Sequence, residues 1–175
     1  MDDALPALPA LSASAQKVQD ALTAADVAAA AGVRQLPVSA RTAAEAAQAL
    51  GCEVGAIANS LIFMADETPL LVMTSGAHRV AVDALTRRLG SSQIRRATPG
   101  EVRAATGQAI GGVAPVGHPA PIETIVDTDL ERYERIWAAA GTPHSVFPTT
   151  FKELLHLTGG AAMPVAADEG RGSDS

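Results

Sequence analysis

The chain has 175 residues, enough for one domain with a sizeable core, and it is 47% apolar but only 3% aromatic, so that core must be built from Ala, Val, Leu and Ile. A net charge of −6 excludes a uniformly basic nucleic-acid binder, and the lone Cys52 excludes an intrachain disulfide or a cysteine metal cluster and reads as core filler. There is no basic-then-apolar leader and no apolar run long enough to span a bilayer, so a soluble cytoplasmic protein is expected.

Residues 1–11 carry two acids and two prolines and are expected to form a flexible tail. Ser12 or Ser14 can cap a helix running to about Ala24 with Val18, Ala21 and Leu22 on one face. A short strand is expected at Val33–Leu36, limited by Pro37. Thr42 and Glu45 have capping-box spacing and open a second helix that Gly51 ends. Ser60–Met64 and Leu70–Thr74 read as two buried strands joined by a polar turn at 66–69, a hairpin. Val80–Leu89 reads as a helix stopped by Gly90, and Gln93–Arg96 as a short strand. Thr98 and Glu101 repeat the capping box with Pro99 at the first helical position, and this helix ends at Gly107. Ile122–Val126 is a strand, Arg135–Ala140 a strand or short helix, and Ser145–Phe147 an edge strand. Thr150 and Glu153 form a third capping box for a helix ending at Leu157. Residues 165–175 are small and polar and read as a disordered tail, which leaves one domain over 12–164. Strands and helices interleave, so the expected fold is α/β: a mixed sheet covered by helices.

Between helix and strand lies Thr106–Pro121, TGQAIGGVAPVGHPAP, with four glycines and three prolines. Such a loop is stiff and can aim bare N–H groups at a carbonyl or phosphate; the competing reading is a long turn. The basic charge is concentrated upstream, where Arg79, Arg87, Arg88, Arg95, Arg96 and Arg103 face only Asp83 and Glu101. This segment suits a phosphate backbone or a solvated helix face. Among the histidines, His118 and His144 sit in Gly/Pro turns and are candidates to line one cleft, and His156 lies near a helix end. None has zinc-ligand spacing, and neither a nucleophile elbow nor a phosphate-binding loop motif is present.

Taken in order, Ile57-Ala58-Asn59-Ser60-Leu61-Ile62-Phe63, Val72-Met73-Thr74-Ser75-Gly76 with Arg79-Val80, Thr106-Gly107, Gly111 to Gly117, and Ala140-Gly141-Thr142-Pro143 resemble the YbaK/ProX editing-domain family over roughly residues 12–163. That family includes the insertion domain of bacterial prolyl-tRNA synthetases and free-standing aminoacyl-tRNA deacylases. The resemblance implies a curved mixed sheet covered by helices. It also implies hydrolysis of the ester between a wrong amino acid and the 3′-terminal adenosine of tRNA, without cofactor or metal. tRNA is then the partner, and an aminoacyl-tRNA synthetase a further one.

On the family pattern, main-chain groups of Gly111, Gly112 and Val113 would hold the ester. Ile57, Leu61, Met73 and Val113 would size the amino acid. Ser60, Ser75, Gly76, His78, Arg79, Thr106, Pro115, Gly117, His118, Gly141 and Pro143 fall on the remaining motif positions as substrate contacts. Arg87, Arg88, Arg95 and Arg96 would follow the tRNA backbone. The chain departs from the family at Asn59, where many members carry lysine, and at Ala81, where they carry an acid. Asn59 keeps a hydrogen-bond donor and loses the charge. The departure leaves three expectations open: a deacylase that positions its substrate with another residue such as Arg79 or His78, a deacylase that is slower or of different specificity, or a module that binds tRNA ends without turnover. A hydrolase of another small acylated nucleotide would use the same loop.

Overall fold

The computed structural model describes residues 12–25, 32–36 and 42–166; the expected tails at 1–11 and from 167 onward lie outside the described residues. Five α-helices and eight strands follow one another as α1 (Ala13–Ala25), β1 (Arg34–Gln35), α2 (Ala43–Leu50), β2 (Ile57–Ala65), β3 (Thr68–Ser75), α3 (Val82–Leu89), β4 (Ile94–Arg96), α4 (Pro99–Thr106), β5 (Glu123–Asp127), β6 (Ile136–Ala139), β7 (Ser145–Thr149), α5 (Phe151–Thr158) and β8 (Ala161–Met163). One mixed sheet runs β1-β7-β6-β2-β3-β5-β8, with β4 paired to β2.

The local signals act as their chemistry predicts. Ser12 caps α1 by accepting from the Ala15 N–H at 3.1 Å. Thr42/Glu45 and Thr98/Glu101 are reciprocal capping boxes. At the third, Thr150 accepts from the Glu153 N–H, while the Glu153 carboxylate accepts from the Thr149 hydroxyl at 2.8 Å. The hairpin turn puts Asp66 and Glu67 at φ 50° and 68°, the twist that two-residue hairpins need. Asp66 holds that conformation by accepting from the N–H groups of Ser92 and Gln93 at 3.0 and 2.9 Å.

Alternation along β2 divides the core. Ala58, Ile62 and Met64 face a cluster built with Val18 and Leu22 of α1, Val102 of α4 and Leu154 of α5. On the other face Phe63 packs with Leu85 of α3, and Ile57 with Ala46 and Ala47 of α2. Cys52 sits half-buried at the margin of that last group, and burial pushes its thiol pKa up. With both sheet faces covered, β3 is an unbroken apolar run, Leu70 to Met73, fully buried.

Two expectations change. β7 is not an edge strand, because β1 pairs with it through Arg34↔Val146 and Gln35↔Ser145. The chain also stays ordered past 164: β8 extends the sheet beside β5, Val165 is fully buried, and its carbonyl accepts from the Ala81 N–H at 2.7 Å.

Candidate active site

The site is formed by an interruption in the sheet. β3 pairs with β2 along its whole length, Ala58↔Ser75 to Ala65↔Thr68. On the other edge, β6 pairs only with Ile57 and Ala58, and β4 only with Phe63 to Ala65. Residues 59–62 lie between. The Gly76 N–H donates to the Ile57 carbonyl and the Ala97 N–H to the Ile62 carbonyl. Odd residues of β2 therefore turn their peptide groups toward β3 and even ones toward the open edge. That phase aims the N–H and carbonyl of Ser60 into the gap, where no strand meets them.

A cavity of about 210 Å³ occupies this gap. Ile57, Asn59 and Leu61 line it from one face of β2, Ser60 and Ile62 from the other, and Trp137 from β6. Gly111, Gly112 and Val113 form its far wall, with Ile110 half exposed at the mouth. Among the described residues, Arg96 is the one charged side chain lining it. Arg96 stands opposite Phe63 in the β2–β4 register, on the face that carries Asn59, with its guanidinium 5.5 Å from the Phe63 ring centroid.

The glycine loop is held rigidly. The Gly141 N–H donates to the Gly112 carbonyl at 2.9 Å. A Cβ on Gly112 would lie 2.6 Å from Thr142 Cα and 2.7 Å from Pro143 N, so only glycine fits there. Gly111 has φ 100° and open space beside it. The N–H groups of Gly111 and Val113 donate to no acceptor among the described residues.

Other expected site residues lie elsewhere. Met73 is buried behind the cavity and accepts from the Ser60 hydroxyl at 3.2 Å. Thr106, Gly117 and His118 line a depression on the rear of the loop, together with Lys17 of α1; Pro115 faces a neighbouring one. His144 is exposed and does not share a cleft with His118. His156 is exposed on α5. Gly141 is buried under α1, while Pro143 reaches the cavity.

Ser75 ends β3, and Gly76, His78 and Arg79 follow it into a corner that does not line the cavity. There Asp127, 1% exposed, accepts from the Ser75 N–H at 2.9 Å and the Asp129 N–H at 3.0 Å. His78 Nε2 lies 3.1 Å from Asp127 and 2.9 Å from Asp129. These three could surround a metal ion, a grouping across some fifty residues that no local spacing reveals. The Ser75 N–H, the Asp129 N–H and His78 thus meet at the Asp127 carboxylate and tie the end of β3 to the end of β5.

The expected arginine face also divides. Arg95 bridges Glu67 at 2.8 Å and Glu101 at 2.9 Å, which raises its own pKa. Its hydrogen bond, then that of the Thr98 backbone, brings the Glu101 carboxyl down to about 2. Arg88 donates to the Pro164 carbonyl at 2.5 Å. Arg87 and Arg79 are exposed.

Residues 37–157 match the family model of the aminoacyl-tRNA editing domain. The uncharacterized YwhH protein of Bacillus subtilis (strain 168) is 29% identical over 126 residues, 72% of this chain and 80% of that protein. A proline–tRNA ligase of Nitratidesulfovibrio vulgaris (strain DP4) is 32% identical over 104 residues, 59% of this chain, which spans only 18% of the ligase. The crystal structure of "a putative trans-editing enzyme for prolyl tRNA synthetase" superposes with a TM-score of 0.84 at 46% identity, covering 90% of this chain and 99% of that one.

Proposed function

The chain belongs to the aminoacyl-tRNA editing domain family, and from that premise we propose that it is an aminoacyl-tRNA deacylase working in the gap of the sheet. The observation that carries this reading is the wall formed by Gly111–Val113, whose unclaimed N–H groups border a small cavity. The lining offers no cysteine, histidine or carboxylate among the described residues. Water would therefore attack the ester carbonyl carbon, and the carbonyl oxygen would take the negative charge against the loop donors. Fixed donors of this kind are worth roughly 10²–10³ in rate each. The C–O bond to the ribose then breaks. The neighbouring ribose hydroxyl relays a proton to the departing oxygen, and the products are a free amino acid and an uncharged tRNA.

Asn59 and Arg96 share the task given elsewhere in the family to one lysine. Asn59 lines the cavity with an uncharged amide, and Arg96, on the same face, supplies the cation for the 3′-terminal phosphate. The small, largely apolar cavity sizes the amino acid. The proline–tRNA ligase and trans-editing relatives suggest a tRNA aminoacylated in error by such a ligase as substrate, and the ligase itself as partner. No helix among the described residues is long and apolar enough to cross a membrane. The second reading, binding of tRNA ends without turnover, rests on the uncharged Asn59.

A deacylation time course on alanyl-, seryl- and threonyl-tRNA and small non-protein aminoacyl-tRNAs, with wild type beside Asn59→Lys and a no-enzyme control, separates the two. Turnover by the wild type is expected. Silence from the wild type with activity in Asn59→Lys would mean an intact scaffold switched off at position 59. Silence from both, with salt-sensitive tRNA binding, would leave the binding module.

A further inference from the structure

We propose that Gln108 and His118 are positioning residues that hold the Gly111–Val113 wall from behind, by gripping both polar groups of Ala114; this rests on the deacylase reading. Gln108 is 2% exposed. Its Oε1 accepts from the Ala114 N–H at 2.7 Å, and its Nε2 donates to the Val116 carbonyl at 3.3 Å. Its own N–H donates to the Thr106 hydroxyl at 3.0 Å, which ties the grip to the end of α4. From the other side His118 Nε2 lies 2.8 Å from the Ala114 carbonyl. A carbonyl can only accept, so this nitrogen carries the proton. Burial lowers the His118 pKa against the raising effect of that bond, which favours the neutral ring.

Ala114 is fully buried in a segment without helix or strand. Its peptide groups must find partners, and two side chains supply them. The loop is thus fixed at the front by Gly141 and at the back by Gln108 and His118, with the donors of Gly111 and Val113 between. Glutamate at 108 could not donate to Val116, so an amide is the matching group. A displacement of about 1 Å at a reacting centre costs on the order of 10²-fold in rate, which is how a residue that touches no substrate would act on turnover.

The test compares Gln108→Met, His118→Phe and His118→Gln with the wild type. Deacylation is read as kcat and KM, and amide hydrogen exchange is followed at Gly111–Val113 and in β3. Gln108→Met should lower kcat by about 10- to 100-fold with KM within about twofold and circular dichroism unchanged. His118→Phe should lose less, and His118→Gln, which keeps a donor, should recover most of that loss. Loop exchange should quicken in Gln108→Met and His118→Phe while β3 stays protected. Unchanged kcat and loop exchange would overturn the proposal, as would losses confined to thermal stability. If Gln108→Met does not fold, the His118 pair decides. A wild type inactive on every substrate would sink the deacylase reading, and loop exchange would then decide the clamp.

Discussion

The two stretches of β2's outer edge have opposite characters. At residues 63–65 the edge is closed by β4, and the charge beside it is spent internally, with Arg95 locked between Glu67 and Glu101. At residues 59–61 the edge is open, and Arg96, which pairs with Phe63 beside that opening, has no carboxylate partner among the described residues. Neighbours in a strand point to opposite faces, so two adjacent arginines serve different ends. One is tied to two carboxylates, and the other faces the cavity without one. A run of like charge in a sequence is therefore not one surface.

The most damaging way to break this contrast is to fill the open stretch. Gly112→Val would drive a side chain into the Thr142–Pro143 backbone and displace the loop. Single-turnover deacylation should fall by at least about 10², while circular dichroism still shows a folded sheet; full activity would remove the loop from the mechanism. Next comes the arginine pair. Arg96→Ala should weaken tRNA binding and reduce the slope of log affinity against log salt by about one. Arg95→Ala should leave that slope unchanged and lower Tm instead. The reverse pattern would assign the ligand charge to the closed stretch.

The smallest effect sharpens the contrast through pH. Glu101 is held near 2, below its usual 4.5, so the unfolded chain takes up this proton first as pH falls. The stability it contributes is complete above about 4.5 and is lost as pH drops toward 2. Arg95→Ala, which removes the largest cause of that depression, should make the acid loss in this window shallower in pH-dependent thermal melts. Arg96→Ala should not.

Local chemistry was legible in the chain. The Thr42 and Thr98 boxes, the hairpin and the α4 stop at Gly107 depend on residues within a few positions of each other. The loop from Thr106 to Pro121 stands out as an unusual Gly/Pro run, whereas Gly111–Val113 within it and the β2 positions Ile57 and Leu61 are singled out only by the family resemblance. What escaped depends on register. Trp137 enters the cavity because it pairs with Ile57 across eighty residues. Arg96 enters because it pairs with Phe63, a fact that also parts it from Arg95. Ser75 ends β3 and His78 follows it, and both gather around Asp127 away from the cavity, while Arg79 is exposed. Thr106 and His118 belong to the expected loop, yet they support its rear. β8 has small residues and no periodic pattern, and it is a strand because β5 offers it an edge.

The interruption in β2 also acts as a gate on molecular shape. Three residues at about 3.3 Å each leave a window of roughly 10 Å, bounded at both ends by paired strands. Another β-strand cannot dock along so short an edge without striking β4 or β6, so the bare Ser60 peptide is shielded from the edge-to-edge association that exposed strands invite. A base-paired RNA stem, with two backbones wound around its stacked pairs, is equally too broad. If an aminoacyl-tRNA is the substrate, an unpaired 3′ end suits this opening better than a paired stem, and strandedness is then read before the amino acid.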